Sequence, residues 1–149
     1  MEINFKTADQ FDIEKIVEMM IIFYQHEHLE FNIDKNLKIV DELLNNSNLG
    51  KIFLIRSGNE TVGYIIITYG FSIEYGGGLA LIDELYIKKE FRNKGIGTET
   101  LKFVEENCKV SGMETIHLQV KNFNSSAKKL YATLGYEEID RVFMRKVIS

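Results

Sequence analysis

A short run of basic residues and glycines joins a predicted strand to a predicted helix, and it constrains the fold more than any other feature. The run is Arg92-Asn93-Lys94-Gly95-Ile96-Gly97. The apolar stretch 79–87 before it predicts a strand, and the stretch 98–109 after it predicts a helix. Glycines let a tight turn direct several backbone N–H groups at one anion, and a helix N-terminus adds unpaired N–H groups. With the charges of Arg92 and Lys94, the run predicts a site for a phosphorylated small molecule.

Two common phosphate-binding signatures do not fit this run. A P-loop requires Gly-Lys-Ser/Thr, but Gly97 is followed by Thr98. A dinucleotide fingerprint requires a third glycine or alanine where Thr100 stands. The run instead matches Arg/Gln-x-x-Gly-x-Gly/Ala and resembles the pyrophosphate loop of the GCN5-related N-acetyltransferases, which hold acetyl-CoA. The resemblance implies that acetyl-CoA is bound by the loop and the residue after it, namely Arg92, Asn93, Lys94, Gly95, Ile96, Gly97 and Thr98.

A second block of residues supports the same resemblance. Residues 118–136 resemble the family's Asn-x-x-Ala-x-x-x-Tyr motif followed by Gly-Phe/Tyr, with Asn124, Ala127 and Tyr131 at the motif positions. The resemblance implies that Asn124 caps a helix and bonds the cofactor, and that Ala127 is small so that the cofactor can lie against the helix. Lys89 stands where the family often has proline, a change that removes no ligand group.

The predicted elements agree with this family in their order. Strands are predicted at 2–6, 51–56, 61–69, 79–87, 115–120 and 138–147, and helices at 9–25, 34–45, 98–109 and 125–134. Asp34 is the predicted N-cap of the second helix, and Gly112 the predicted C-cap of the third. The order β-α-α-β-β-β-α-β-α-β is that of the family. It implies an α/β fold (α+β in some schemes), with a mixed, mostly antiparallel central sheet, helices on both faces, and one acetyltransferase domain over residues 1–149.

Composition limits the partners and the location. A net charge of −4 disfavours nucleic acid and favours a cationic amine acceptor. The longest apolar run, 19–24, is far shorter than the roughly 20 residues that span a bilayer, and the N-terminus shows no signal-peptide pattern. The single cysteine, Cys108, is predicted to be a small buried residue and fits a reducing cytoplasm. We therefore expect a cytoplasmic protein without a membrane partner.

Transfer of an acetyl group from a thioester to an amine requires a proton acceptor for the amine and an acid for the thiolate. Tyr131 is the candidate acid, because it occupies the motif tyrosine and a phenol is protonated at neutral pH. The alternative role for Tyr131 is a core tyrosine on its helix stripe. Glu84 is the candidate base, acting directly or through a water, because burial raises the pKa of a carboxyl. Asp83 is its direct rival and is predicted on the opposite face of the strand. The alternative role for Glu84 is a structural carboxylate that only pairs with a lysine or caps a neighbour.

The strand that precedes the loop has a further role by resemblance. In this family a bulge around Leu85, Tyr86 and Ile87 separates the strand from its neighbour, and the freed N–H groups bind pantetheine and polarise the thioester carbonyl. No metal site is expected, because His26 and His28, placed two apart on a helix, point away from each other.

The predicted activity is acetyl-CoA-dependent N-acetylation of a primary amine by direct attack in a ternary complex. The acceptor stays open among polyamine, aminoglycoside, amino acid and peptide. Two alternatives remain: a protein or peptide N-terminal acetyltransferase, and a non-catalytic acyl-CoA-binding sensor. A homodimer is a further expectation from the family.

Overall fold

A computed structural model describes residues 2–149 of the chain, which form two compact units, residues 2–119 and 120–149. The first unit contains most of the regular structure. Its elements are β1 (Ile3–Thr7), α1 (Ile13–His26), α2 (Ile33–Leu44), β2 (Gly50–Ser57), β3 (Glu60–Ser72), β4 (Gly77–Ile87), α3 (Ile96–Val110) and β5 (Thr115–Leu118). The second unit contains α4 (Ser125–Thr133). This order agrees with the predicted order as far as α4, and the predicted fold class is confirmed. The prediction of one domain stays a prediction.

The first unit is built on a five-stranded sheet in the order β1-β2-β3-β4-β5. Neighbouring strands are antiparallel, except that β5 runs parallel to β4. On one face, α1 and α2 bury Ile16, Met20 and Val40 against Tyr64 and other side chains of the sheet. On the opposite face, α3 buries Ile96 with residues of β2 and β3. The sheet is therefore mixed, mostly antiparallel and covered by helices on both faces, as predicted.

The helix beginnings differ from the predicted ones because of local caps. Asn32, rather than Asp34, is the N-cap of α2, since its side chain accepts a hydrogen bond from the Lys35 N–H at 3.0 Å. Asp34 is the second residue of α2, in the first turn, where its negative charge interacts favourably with the helix dipole. Before α1, residues 10–12 form a 3₁₀ turn capped by Asp9, so the α-helix itself begins at Ile13.

The third helix is bounded by two glycines with positive φ. Gly95, at φ +81°, is its N-cap, so α3 begins two residues before the predicted start. At the other end Gly112, at φ +78°, donates to the Lys109 carbonyl, and the Met113 N–H bonds to the Cys108 carbonyl. These two bonds form a Schellman motif. Ser111 is the C-cap and Gly112 the residue just after it, so the predicted C-cap is one residue too late.

The predicted last strand is absent. Residues 138–149 form no helix or strand, and the strand prediction for 138–147 is therefore wrong. A strand requires a neighbouring strand for its backbone hydrogen bonds, and within residues 120–149 the structure has only α4. Apolar side chains such as Val142, Phe143 and Met144 are consequently exposed. No helix within residues 2–149 has the length and apolar character needed to cross a membrane.

Candidate active site

The loop that joins β4 to α3 has the backbone geometry of an anion-binding turn. Asn93 and Gly95 both have positive φ, +61° and +81°, a conformation that asparagine and glycine adopt more readily than other residues. No side chain caps α3, and the Glu99 N–H makes the first helical bond, to the Gly95 carbonyl at 3.1 Å. The N–H groups of the first turn therefore have no partner within the helix. A Cβ on Gly95 would meet no atom within 4 Å, so open space lies beside the turn.

The basic side chains of the loop are held by its flanking residues. The Nε–H of Arg92 donates to the carbonyl of Ile87 at 2.7 Å, and the guanidinium lies 5.9 Å from the centre of the Tyr86 ring. Lys94 places its ammonium 5.6 Å from the centre of the Phe91 ring. The bond to Ile87 uses one of the five N–H donors of Arg92. Arg92 thus ties the loop to the end of β4.

The strand before the loop contains a β-bulge. Glu84 pairs with Ile66 of β3, whereas the next residue of β3, Ile67, pairs with Ile82, so Asp83 is the extra residue. The bulge expected around Leu85, Tyr86 and Ile87 therefore lies two residues earlier, and those three residues pair with β3 in regular register.

Beyond the bulge, one edge of β4 is open within residues 2–119. The pairing of β4 with β5 ends at Ile82, so the segment 83–87 has β3 as its only strand neighbour in this unit. The Lys88 N–H bonds to the Val62 carbonyl at 2.8 Å. Because successive residues of a strand direct their N–H groups to opposite sides, the N–H groups of Leu85 and Ile87 face away from β3. Two donors thus point to the open edge.

The bulge also places two carboxylates on one face of the sheet. Ile66 and Tyr64 face α1 and α2, and Glu84, paired with Ile66, lies on that face. Leu81 pairs with Thr68, which is on the same face, and alternation from Leu81 brings Asp83 there too. The prediction that Asp83 and Glu84 point to opposite faces is wrong, because the inserted residue shifts the alternation by one.

Two tyrosines contact Glu84, and the sequence analysis did not predict either contact. The Tyr24 hydroxyl donates to Oε2 of Glu84 at 2.6 Å, and the Tyr64 hydroxyl donates to Oε1 at 2.8 Å. Burial and the charge of Asp83 raise the pKa of Glu84, while both phenol hydrogen bonds lower it; the net shift is upward. Burial and the carboxylate together raise the pKa of both tyrosines, which stay protonated at neutral pH. The group is a partly buried carboxylate with a raised pKa, chemically suited to accept a proton near neutral pH.

The other candidate groups of the first unit have simpler surroundings. Asp83 is exposed, and partial loss of water contact raises its pKa. Cys108 is buried, as predicted, and burial raises the pKa of its thiol, so it has little thiolate character.

His26 is the last residue of α1, whereas His28 lies beyond the helix with φ +56°, so the argument that two histidines on one helix point apart does not apply to this pair. No cluster of three or more metal-ligating side chains occurs among the residues that the structure describes.

The second unit contains the predicted residues of the second motif. Asn124 is the N-cap of α4, and its side-chain oxygen accepts from the Ala127 N–H at 3.2 Å. Tyr131 is the seventh residue of α4, with its ring 5.8 Å from that of Tyr136 in an edge contact. Burial raises the pKa of Tyr131, which keeps its hydroxyl protonated and able to donate a proton.

Comparison with known proteins agrees with this fold. The profile of the acetyltransferase (GNAT) family matches residues 14–136. Bovine thialysine N-epsilon-acetyltransferase is 32% identical over 78 residues, which are 52% of this chain and 45% of that enzyme. The chain thus matches less than half the length of this relative.

Solved structures share the whole fold. A possible acetyltransferase from Clostridium difficile 630 superposes with a TM-score of 0.86 at 26% identity, covering 100% of both chains. A predicted acetyltransferase from Clostridium acetobutylicum, solved with acetyl-CoA, superposes with a TM-score of 0.81 at 20% identity, covering 97% of this chain and 96% of that one. The fold and the loop before α3 are those of an acetyltransferase-type domain. The chain belongs to the GNAT family of acetyltransferases.

Proposed function

We propose that this protein transfers an acetyl group from acetyl-CoA to a primary amine, with Glu84 as the base and Tyr131 as the acid. The observation that supports it best is the placement of Glu84. Its carboxylate is partly buried on the strand that leads directly into the Arg92–Gly97 loop, and its pKa is raised. A carboxylate of this kind accepts a proton more readily at neutral pH than an exposed one does.

The residues of the loop and of β4 suit the acetyl-CoA that the family uses. The unpaired N–H groups at the start of α3 and the charges of Arg92 and Lys94 would bind its pyrophosphate. The N–H groups of Leu85 and Ile87, which face the open edge of β4, would bind the pantetheine and the thioester carbonyl. Tyr86 directs its own N–H to β3 by the same alternation, so we assign to it a packing role under Arg92 instead.

The chemistry needs no covalent enzyme intermediate. The cosubstrate supplies the acetyl group as a thioester. Glu84 accepts one proton from the attacking amine nitrogen, and Tyr131 donates one to the departing sulfur, so that a C–N bond replaces a C–S bond. An acceptor that arrives as an ammonium ion first releases one further proton to solvent. Exchange with water then returns both side chains to their starting states.

The charges near Glu84 support a cationic amine as the acceptor. Asp83 and Glu84 lie on one face of the sheet, and the chain has a net charge of −4, so a positive acceptor is attracted to this face. Thialysine is the first acceptor to test, because the matching bovine and porcine relatives are thialysine N-epsilon-acetyltransferases.

Calorimetric titration with acetyl-CoA and with CoA tests the cofactor half of the proposal. Thiol release with an acceptor panel of thialysine, lysine, spermidine, an aminoglycoside and a peptide tests the other half. Micromolar binding together with acceptor-dependent thiol release would support the proposal. Absence of binding would mean that the loop is a structural turn, and the proposed activity would fall with it.

The choice between the two carboxylates is tested by a matched pair of variants. We expect Glu84→Gln to lose turnover while Asp83→Asn retains most of it, because Glu84 receives the two phenol hydrogen bonds and Asp83 is exposed. The reverse pattern would assign the base to Asp83. Equal and full activity of both variants would identify neither as the base.

The alternatives from the sequence give different results in the same assays. A sensor module would bind CoA without releasing thiol with any acceptor, and a peptide N-terminal acetyltransferase would use only the peptide. Cytoplasmic location and a homodimer stay predictions, and sedimentation of the purified chain tests the dimer.

A further inference from the structure

Glu84 is fixed by hydrogen bonds from two different elements. Tyr24 belongs to α1 and Tyr64 to β3, and they lie 60 and 20 residues away from Glu84 in sequence. Each phenol donates to a different oxygen of the carboxylate, at 2.6 Å and 2.8 Å. Because each oxygen has its own donor, the carboxylate has little freedom to rotate about its terminal torsion angle, which otherwise takes a broad range of values.

We propose that Tyr24 and Tyr64 are positioning residues that hold the Glu84 carboxylate in place and in its charged form for proton abstraction. This inference rests on the proposed function and deepens it, because it assigns the groups that make Glu84 usable as a base. Hydrogen bonds to a charged group are stronger than those to a neutral one, so both phenols favour the ionised carboxylate over the acid.

Tyr64 is the rigid member of the pair. Its side chain has 0% exposure, and its ring lies 5.8 Å from that of Tyr86 and 6.4 Å from that of Phe23. It lies two residues from Ile66, the partner of Glu84, on the same face of β3. Tyr64 therefore orients one oxygen of Glu84 from inside the core, where water cannot replace it.

Tyr24 is the member that connects the base to the segment between α1 and α2. Its ring lies 5.3 Å from that of Phe31, and its carbonyl accepts from the Leu29 N–H at 2.8 Å. The same residue therefore binds Glu84 through its hydroxyl and anchors residues 29–31 through its ring and backbone. Because Tyr24 is only partly buried, water can partly replace its hydroxyl, and we expect its loss to have the smaller effect.

Among residues 2–149, three charged or titratable groups act on Glu84. Tyr24 faces it from α1, Tyr64 from β3, and Asp83 from its own strand, where the like charge opposes ionisation. Tyr86 acts on Tyr64 rather than on Glu84. Burial and Asp83 thus favour the neutral acid, and the two phenols oppose them. Removing a phenol is expected to raise the pKa of Glu84 further.

Phenylalanine variants test this directly, since they remove one oxygen and keep the ring. In Tyr24→Phe and Tyr64→Phe we expect the acid limb of kcat/KM to move to higher pH by about 1 unit for Tyr64 and less for Tyr24. Activity lost near neutral pH should return largely at high pH, and CoA affinity should stay unchanged. Tyr69→Phe is the matched control, because Tyr69 is a β3 tyrosine on the opposite face of the sheet, with its hydroxyl bonded to Ser111.

A second measurement does not depend on turnover. In protein labelled with ¹³C at glutamate carboxyls, the signal assigned through Glu84→Gln should titrate at higher pH in both phenylalanine variants than in the wild type and in Tyr69→Phe. An unchanged midpoint in both variants would overturn the inference. If the wild type bound no CoA and acetylated no amine, the proposed function would fail instead, while this titration would still report the contact between the phenols and Glu84.

Discussion

The backbone of β3 passes so close to that of β4 at Gly63 that a side chain cannot fit there. A Cβ on Gly63 would lie 2.2 Å from the Tyr86 carbonyl oxygen and 3.1 Å from the Ile87 Cα. Both neighbours are backbone atoms of the segment that leads to the loop, so no side chain can turn aside to relieve the contact. In Gly63→Ala the two strands have to move apart by about 1 Å, the distance needed to restore ordinary van der Waals contact.

The loss of stability in Gly63→Ala follows from the kind of atoms that have to move. Overpacking in a well-packed interior costs about 1–3 kcal/mol, and displacement of a paired backbone belongs at the upper end of that range. A decrease of about 3 kcal/mol in the free energy of unfolding lowers Tm by about 6–12 °C for a chain of this size. Because the displaced atoms adjoin the N–H groups of Leu85 and Ile87, we also expect weaker binding of CoA.

Thermal unfolding followed by circular dichroism, with calorimetric titration of CoA, tests both expectations. Gly70→Ala is the matched control in the same strand, because a Cβ there would meet the Leu79 side chain at 3.5 Å, an ordinary contact. We expect its Tm to stay within about 3 °C of the wild type, as for a change below about 1 kcal/mol. Equal Tm values for the two variants would refute the argument from backbone proximity.

Five further outcomes are expected. Glu84→Gln should lower turnover by about 10²–10⁴-fold without weakening CoA binding, as a lost general base does; full turnover would exclude Glu84 from the reaction. In the wild type, kcat/KM should fall as the pH drops through the raised pKa of Glu84, because only the ionised carboxylate accepts a proton. Tyr131→Phe should also depress turnover with little change in CoA affinity, and equal turnover would remove Tyr131 from the mechanism. Gly97→Val should block CoA binding, since a branched side chain would cover the N–H groups of the loop, and an unchanged Kd would contradict the loop assignment. Asp12→Asn should lower the free energy of unfolding by about 0.5–1 kcal/mol at pH 7, and by nothing near pH 2, in denaturant unfolding. Burial raises the pKa of Asp12, but the hydrogen bonds and charge of Lys6 lower it more, so the stabilising effect of Asp12 disappears as the pH falls through that lowered pKa. Equal losses at both pH values would show that charge is not the cause.

The local features of the loop could be recognised from sequence because they depend on neighbouring residues. Gly95 is where the turn needs a positive φ, Gly112 is where α3 ends, and Asn124 caps α4 through a residue three positions ahead. The helix stripes and strand alternations likewise follow from periods of 3.6 and 2 residues. Errors of one or two residues, such as the choice of Asp34 over Asn32, arose because two side chains, two residues apart, both suit a cap.

The face that a side chain occupies was harder to predict, because it depends on the partner strand. Strict alternation along β4 would place Asp83 and Glu84 on opposite faces of the sheet, and no residue in that stretch predicts a β-bulge. The bulge appears only in the pairing with β3, where Ile66 and Ile67 face Glu84 and Ile82. The wrong prediction of a strand at 138–147 has the same origin, because an alternating pattern does not provide the neighbouring strand that backbone hydrogen bonds require.

The sequence by itself determined the family, the order of the elements as far as α4, and the loop that suits phosphate, since these depend on residue types at fixed short spacings. Only the tertiary structure decided what surrounds Glu84. Tyr24 on α1 and Tyr64 on β3 reach its two oxygens because α1 packs on the face of the sheet to which the bulge turns that side chain. Contacts between residues 20 and 60 positions apart follow from helix packing and strand register, which no local pattern specifies.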